Sequence, residues 1–285
     1  MISKLVTVFA ASTALGAVAA PAAADTVNSA NWAGYAVHRS GVTFSKVVGA
    51  WRQPRPTCIR GQRTYSAMWV GLGGYSISAQ ALEQIGTEAD CSGSGGVVSS
   101  AWYEQVPAPS NPIRLRVRPG DSLMASVSVA GRQVQLRLSD RTSHKSFVKT
   151  LRASLVDVSS AEWIVEAPSE CSSLATCVTL PLANFRSARF TSADARASTG
   201  HTGTISDRRW NATRIRLAPD GRQFVFLGGV GNAAGAMPST LSQKGTSFVV
   251  RYSAVTAARR AAAATVAAAR RAAAPAVVPG GRLFH

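Results

Sequence analysis

Three successive runs between residues 113 and 138 alternate apolar and polar side chains with a period of two. Ile113, Leu115 and Val117 alternate with Arg114, Arg116 and Arg118. Leu123, Ala125, Val127 and Val129 alternate with residues that include Ser126 and Ser128, and Val134, Leu136 and Leu138 alternate with Gln133, Gln135 and Arg137. Pro119-Gly120-Asp121 and Ala130-Gly131 punctuate these runs as turns. A period of two is the signature of a half-buried strand, because successive side chains point to opposite faces of a sheet. Further strands are expected at Phe44–Trp51, Ser66–Gly71, Ser99–Gln105, Ala161–Glu166, Gln223–Leu227 and Phe248–Tyr252. No amphipathic helix is legible between residues 25 and 250. Short, regularly spaced strands without helices predict an all-β chain, folded as one antiparallel β-sandwich over residues 25–255.

The two ends read differently. Lys4 followed by an apolar run from Leu5 to Ala20 and the small residues Ala22-Ala23-Ala24 predict a signal peptide over 1–24, with Asp25 as the first mature residue. The run is too short for a stable membrane span, and no later stretch is long and apolar enough for one. The mature protein is therefore expected to be secreted, soluble and monomeric. Residues 256–285 form a tail dominated by Ala and Arg, with Pro275 and Pro279 closing its helix-favouring part. It is expected to be weakly structured and able to contact anionic surfaces. The net charge is +17. Lys4 and five tail arginines carry six of those charges, which leaves about +11 on the folded part. Such a surface attracts anions, but no nucleic-acid motif accompanies it, and no specific nucleic-acid partner is expected.

Cys58, Cys91, Cys171 and Cys177 are an even set in a chain expected to be exported, which favours two disulfides. Three pairings are open. The short separation of Cys171 and Cys177 favours that pair, leaving Cys58 with Cys91. The chain has no Cys-x-x-Cys, no clustered His among its four, and no His-Glu-x-x-His, so no metal and no cofactor is expected. Neither a Gly-x-Ser-x-Gly elbow, an Asp-Thr/Ser-Gly motif nor a phosphate-binding glycine loop occurs. A site in this chain has to be built from carboxylates, amides and aromatics.

The chain holds only 14 acidic residues. Two of them lie within the hydrophobic strand Ala161-Glu162-Trp163-Ile164-Val165-Glu166. Strand parity puts Glu162, Ile164 and Glu166 on one face and Trp163 and Val165 on the other. An apolar core would take Trp163 and Val165, and the carboxylates would face water or a cleft. A solvated outer face is the plain reading of that spacing alone. The same parity groups Leu82, Gln84 and Gly86, and groups Trp102 with Glu104.

Four segments taken in order resemble the glutamic peptidases, the eqolisin family of secreted acid endopeptidases. They are Asn31-Trp32-Ala33-Gly34-Tyr35; Trp69-Val70-Gly71-Leu72-Gly73-Gly74 with Leu82-Glu83-Gln84-Ile85-Gly86; Trp102-Tyr103-Glu104; and Ala161 to Glu166 followed by Cys171 to Cys177 and Leu180-Pro181-Leu182-Ala183-Asn184-Phe185. The resemblance runs from residue 31 to about residue 190. It implies a jelly-roll, concanavalin A-like β-sandwich with the cleft on one sheet face. It implies a catalytic pair of Gln84 and Glu166, and a substrate-binding lining of Trp32, Trp69, Trp102 and Glu104. Glu83 and Glu162 are expected to be neighbours of the site. The implied activity is metal-independent hydrolysis of polypeptides, insensitive to pepstatin. Glu166, ionised as an ordinary Glu would be above pH ~4.3, would take a proton from water and return it to the leaving nitrogen. Gln84 would hold the oxyanion. The basic composition departs from the acid-rich character of that family. Two other readings fit the residues: a lectin-like sandwich that binds carbohydrate or envelope without hydrolysis, and a glycosidase built on Glu104 and Glu166.

Overall fold

The computed structural model describes residues 25–76, 78–173, 176–218, 221 and 234–254, with only the backbone described over 171–173 and 176–177. The signal peptide expected over 1–24, the tail expected over 256–285 and the strand expected at Gln223–Leu227 lie outside the described residues. In chain order the strands are β1 (Asp25–Ser29), β2 (Trp32–His38), β3 (Phe44–Arg52), β4 (Ala67–Gly73), β5 (Leu82–Cys91) and β6 (Val97–Val106). There follow β7 (Asn111–Ile113), β8 (Ser122–Ala130), β9 (Gln133–Asp140), β10 (Lys145–Arg152), β11 (Ser160–Glu166) and β12 (Ser169–Ser173). The last six are β13 (Thr176–Thr179), β14 (Ser187–Ala197), β15 (Thr202–Thr204), β16 (Asn211–Leu217), β17 (Ala234–Pro238) and β18 (Phe248–Ala254). No helix of the described residues is long and apolar enough to cross a membrane.

One continuous sheet runs in the order β10-β9-β8-β3-β14-β18-β17-β16-β2-β11-β4-β5-β6-β7. Its strands pair antiparallel, apart from β1, which adds parallel to β16. The sheet folds back on itself as a jelly-roll-like sandwich. Strands β4, β5 and β11 of one layer lie against β3, β8, β9 and β14 of the other. The inward residues of both layers form the main core, which includes Val47, Trp51, Val70, Ile85, Leu123, Leu136, Trp163 and Phe190. Trp163 is fully buried there, and its Nε1 donates to the Val48 carbonyl at 2.7 Å, so the one polar atom of that side chain is satisfied.

The layer that holds β2, β11 and β4 differs from an ordinary half-solvated sheet. Strands β2, β4 and β11 are buried on both faces over almost their whole length. A second apolar cluster explains it. Trp32, Trp69, Leu82, Trp102 and Ile164 cover the outer face of that layer.

The alternation at Ile113–Val117 has a different outcome from the one expected. β7 ends at Ile113, yet Leu115 and Val117 are still buried and Arg114, Arg116 and Arg118 exposed. The segment keeps its alternating burial without a ladder, and the Leu115 amide donates locally to the Ile113 carbonyl at 2.8 Å, so its period reports burial and not strand pairing.

Cys58 and Cys91 form a disulfide with Cα atoms 5.3 Å apart. It ties the loop after β3 to the end of β5. Cys171 and Cys177 stand directly opposite each other across the β12–β13 ladder. Because the first bridge closes a loop of sequence separation 33, loop entropy alone suggests about 4 kcal/mol of stability. Cys58→Ser with Cys91→Ser is expected to lower the urea midpoint accordingly, and an unchanged midpoint would contradict it.

Candidate active site

Three rows of side chains cross the outer face of the β2-β11-β4-β5-β6 layer. In the first, Glu166 lies between Trp32 and Ala67. In the second, Ile164 is paired with Trp69, and Trp69 is followed by Gly86 and Trp102. In the third, Glu162 is followed by Gly71, Gln84 and Glu104. Register thus places Gln84, Glu104, Glu166 and the three tryptophans on one face, where spacing alone groups residues only within each strand. The register adds that Gln84 and Glu166 sit two strands and two rows apart, with the Trp69 row between them.

Trp69 spans that gap. Its Nε1 donates to Glu166 Oε2 at 2.8 Å, while its ring reaches over Gly71 in the row of Gln84. A Cβ on Gly71 would stand 2.9 Å from Trp69 Cζ3 and 2.9 Å from Leu82 Cδ1. A Cβ on Gly86 would meet Trp69 Cβ at 2.6 Å. Glycine at these two positions lets the indole lie down on the sheet. Trp32 packs edge-on to Trp69 with ring centroids 5.0 Å apart. Trp32 and Trp69 are almost fully buried and Trp102 is only 8% exposed. The tryptophans therefore form the floor under the polar groups, with little surface free to line a cleft wall.

Glu166 is held from two sides. Asn31 Nδ2 donates to its Oε1 at 3.2 Å, opposite the Trp69 bond to Oε2. Asn31 is itself fixed by Ser29, whose hydroxyl donates to Asn31 Oδ1 at 3.1 Å and accepts from the Asn31 and Trp32 amides. Burial pushes the Glu166 carboxyl up to about 8, with the nearby Glu104 carboxyl adding to the rise and the donors Trp69, Trp32 and Asn31 opposing it. The ordinary value near ~4.3 expected from sequence does not hold in this environment. Below neutral pH the group keeps its proton.

Gln84 Nε2 donates to Glu104 Oε2 at 2.6 Å. This fixes which end of the amide faces Glu104. Gln84 Oε1 is buried and accepts no hydrogen bond from the described residues. Gln84 therefore has one N–H and its carbonyl oxygen free for another partner. Glu104 is pushed up to about 7 by burial, with the Gln84 bond acting against that shift.

Glu83 and Glu162 are fully buried. Neither carboxyl has a hydrogen-bond partner of good geometry among the described residues. Burial raises Glu83 to about 8, reinforced by Asp157, and raises Glu162 well above the usual range, where Asp157 and Glu83 add to it and Ser160 opposes. The two occupy opposite faces of their layer, since Glu83 pairs with inward-facing Leu72 and Glu162 with outward-facing Gly71. They are neighbours of the site by position. The solvated outer face that spacing alone suggested for Glu162 is absent, because the tryptophan floor covers it.

Asn31 and Ser29 were not expected as site residues. Asn31 lies in the same N-terminal motif as Trp32, but only the fold shows that β2 runs beside β11 and delivers the amide to Glu166. Among the described residues no group of three or more His, Cys, Asp or Glu is arranged to hold a metal ion.

Removing the indole donor isolates its effect on Glu166. In Trp69→Phe the carboxyl loses a hydrogen bond that favours its ionised form, so its pKa rises further. One such bond corresponds to about one pH unit or slightly more. The ionisation of Glu166, followed by the pH profile of kcat/KM or by carboxyl NMR, is expected to move upward by about that amount. A downward shift would show that the bond does not favour the anion.

The sequence profile of the Peptidase A4 family matches residues 30–223. Among solved structures, the chain is similar to scytalido-glutamic peptidase bound to a peptide-based transition-state analogue, with a TM-score of 0.62 and 21% identity over 78% of this chain and 98% of that one. It is also similar to SCP-B, a member of the eqolisin family in complex with the tripeptide Ala-Ile-His, with a TM-score of 0.58 and 21% identity over 78% and 98% of the two chains. Aspergilloglutamic peptidase from Aspergillus niger shares 25% identity and a TM-score of 0.51 over 66% of this chain and 99% of that one. No curated protein sequence matches the chain. The structural likenesses bear on the fold, and the profile, which covers well over half of the sequence, carries the assignment: the chain belongs to the Peptidase A4 family.

Proposed function

We propose that this glutamic-type endopeptidase hydrolyses peptide bonds of exported or extracellular polypeptides through Glu166 and Gln84. The observation that carries the reading is the pairing of two differently prepared groups on one sheet face: a half-buried carboxyl clamped by Asn31 and Trp69, and an amide oriented by Glu104 with an N–H and an oxygen unspent.

A neutral Glu166 handles both protons of the reaction. As water attacks the substrate carbonyl carbon, one carboxyl oxygen of Glu166 takes a proton from the water. Its hydroxyl gives a proton to the substrate oxygen. The C=O becomes a tetrahedral diol, and Glu166 leaves the step with one proton, as it entered. In the second step Glu166 protonates the amine nitrogen and takes a proton from a diol hydroxyl while the C–N bond breaks. The unspent N–H of Gln84 donates to the substrate oxygen as charge develops on it. The tryptophan floor keeps these transfers away from bulk water. This form of the mechanism differs from one that starts with ionised Glu166, and it follows from the carboxyl's raised pKa. Rates are then expected to fall as pH rises through the range of about 7 to 8 in which Glu104 and Glu166 ionise.

The test is casein digestion by the mature protein from pH 2 to pH 8, with pepstatin and EDTA present. Cleavage that resists both and fades on the alkaline side supports the reading. Absence of cleavage at every pH, in a folded protein, would favour a lectin-like binding sandwich.

A further inference from the structure

The six-strand half-sheet β10-β9-β8-β3-β14-β18 has an outer face that the catalytic reading leaves unused. Register places Lys46 and Arg52 of β3, Arg137 of β9, Arg152 of β10, and Arg189 and Arg196 of β14 on that face. All six are exposed. Arg196 pairs directly with Lys46, so their charges stand on adjacent strands. Asp194 is the acid on this face, opposite Val48, and it is half-buried. The one ion pair among the described residues is His201 with Asp207, elsewhere in the fold, so these six cations have no carboxylate partner. Between them the face carries hydroxyls and amides: Ser126, Ser128, Gln135, Ser139 and Thr150. Apart from Asp194, which burial also raises, the acids with raised pKa values lie on the other layer, at Glu83, Asp90, Glu104, Glu162 and Glu166.

We infer that this face is a docking surface for an acidic polysaccharide. Five of the six cations are arginine, whose planar fork matches a carboxylate with two hydrogen bonds. Ser, Thr and Gln between them offer donors and acceptors to sugar hydroxyls. Two other polyanions fit less well. The face presents no aromatic side chain on which nucleic-acid bases could stack. It also lacks the aromatic or leucine anchors that hold a protein in a lipid interface. Docking here leaves the catalytic face, on the opposite side of the sandwich, open to polypeptides.

The experiment measures binding of the full mature chain to polygalacturonate at low ionic strength, with neutral dextran, duplex DNA and phosphatidylglycerol vesicles as comparison probes. Polygalacturonate is expected to bind, dextran not, and added NaCl to weaken the binding. The triple variant Lys46→Ser, Arg137→Ser, Arg196→Ser is expected to lose affinity about tenfold or more, with casein hydrolysis in solution unchanged. A second triple variant, Arg55→Ser, Arg63→Ser, Arg116→Ser, changes the net charge equally at exposed positions off this face and is expected to stay within about twofold of the parent. Equal weakening by both variants would reduce the effect to net charge and overturn the proposal. So would binding of DNA or vesicles without binding of polygalacturonate.

Discussion

Raising the pH from 4 to 8 is expected to destabilise this protein by several kcal/mol, and Glu83→Gln is expected to remove much of that loss. Glu83 is fully buried, its carboxyl oxygens have no partner among the described residues, and burial lifts it from 4.5 to about 8. In the unfolded chain the same group ionises near its ordinary value. Between the two values the unfolded state has given up a proton that the folded state retains, so stability falls as pH rises. It is complete below about 4.5 and the loss is complete above about 8. A shift of that size corresponds to about 5 kcal/mol, against total stabilities of about 5–15 kcal/mol for proteins generally. Glu162, with Asp157 and Glu83 near it, adds to the same trend. Gln has nearly the same shape and no charge to lose. Urea unfolding at pH 4, 6 and 8 should give curves for Glu83→Gln close to the parent at pH 4 and clearly more stable than the parent at pH 8. A parent whose stability is flat across that range would refute the account.

The buried acids also show where the sequence stops being readable. Period two located β8, β9 and the inward face of β11 from residues alone, and parity grouped Gln84 with Gly86, Glu104 with Trp102 and Glu166 with Glu162, leaving it to the register to bring the three groups onto one face. It could not show that both sides of β11 are covered, because a strand buried on both faces keeps no polar face by which to tell them apart. Glu162 consequently looks solvated in sequence and is buried in the fold. β14 was hidden for another reason. Its buried residues are Ala188 and Phe190 and then Ala193, Ala195 and Ala197. The register shifts between Thr191 and Asp194, where Ser192 has φ 51°, so even positions face inward before the bulge and odd ones after it. An alternation test run straight through such a break averages to nothing. The site suffers in the same way from non-local information. Asn31 and Glu166 are 135 residues apart in sequence, and only the β2–β11 pairing joins them.

Glu166→Gln is expected to lower kcat/KM on a peptide substrate by about 10³–10⁴-fold, and Gln84→Ala by about 10²–10³-fold. The amide in Glu166→Gln keeps the shape that Asn31 and Trp69 surround, but it cannot pass a proton from water to nitrogen. Gln84→Ala removes the N–H offered to the substrate oxygen and leaves Glu104 without the donor it holds at 2.6 Å. Because both groups act on the same transition state, the double variant should lose less than the product of the two single losses. Misfolding is separable from this result by the sign of a second measurement. Glu166 is a half-buried carboxyl whose ionisation the fold opposes, so Glu166→Gln should melt at the same temperature as the parent or higher at pH 8, while its activity at pH 4 is nearly gone. Loss of activity with a raised melting temperature at pH 8 identifies Glu166 as the proton carrier. Full activity in Glu166→Gln would remove it from the mechanism. Full activity in Gln84→Ala with none in Glu104→Gln would instead move the reaction to the two carboxyls, as the glycosidase-like pairing of Glu104 and Glu166 requires.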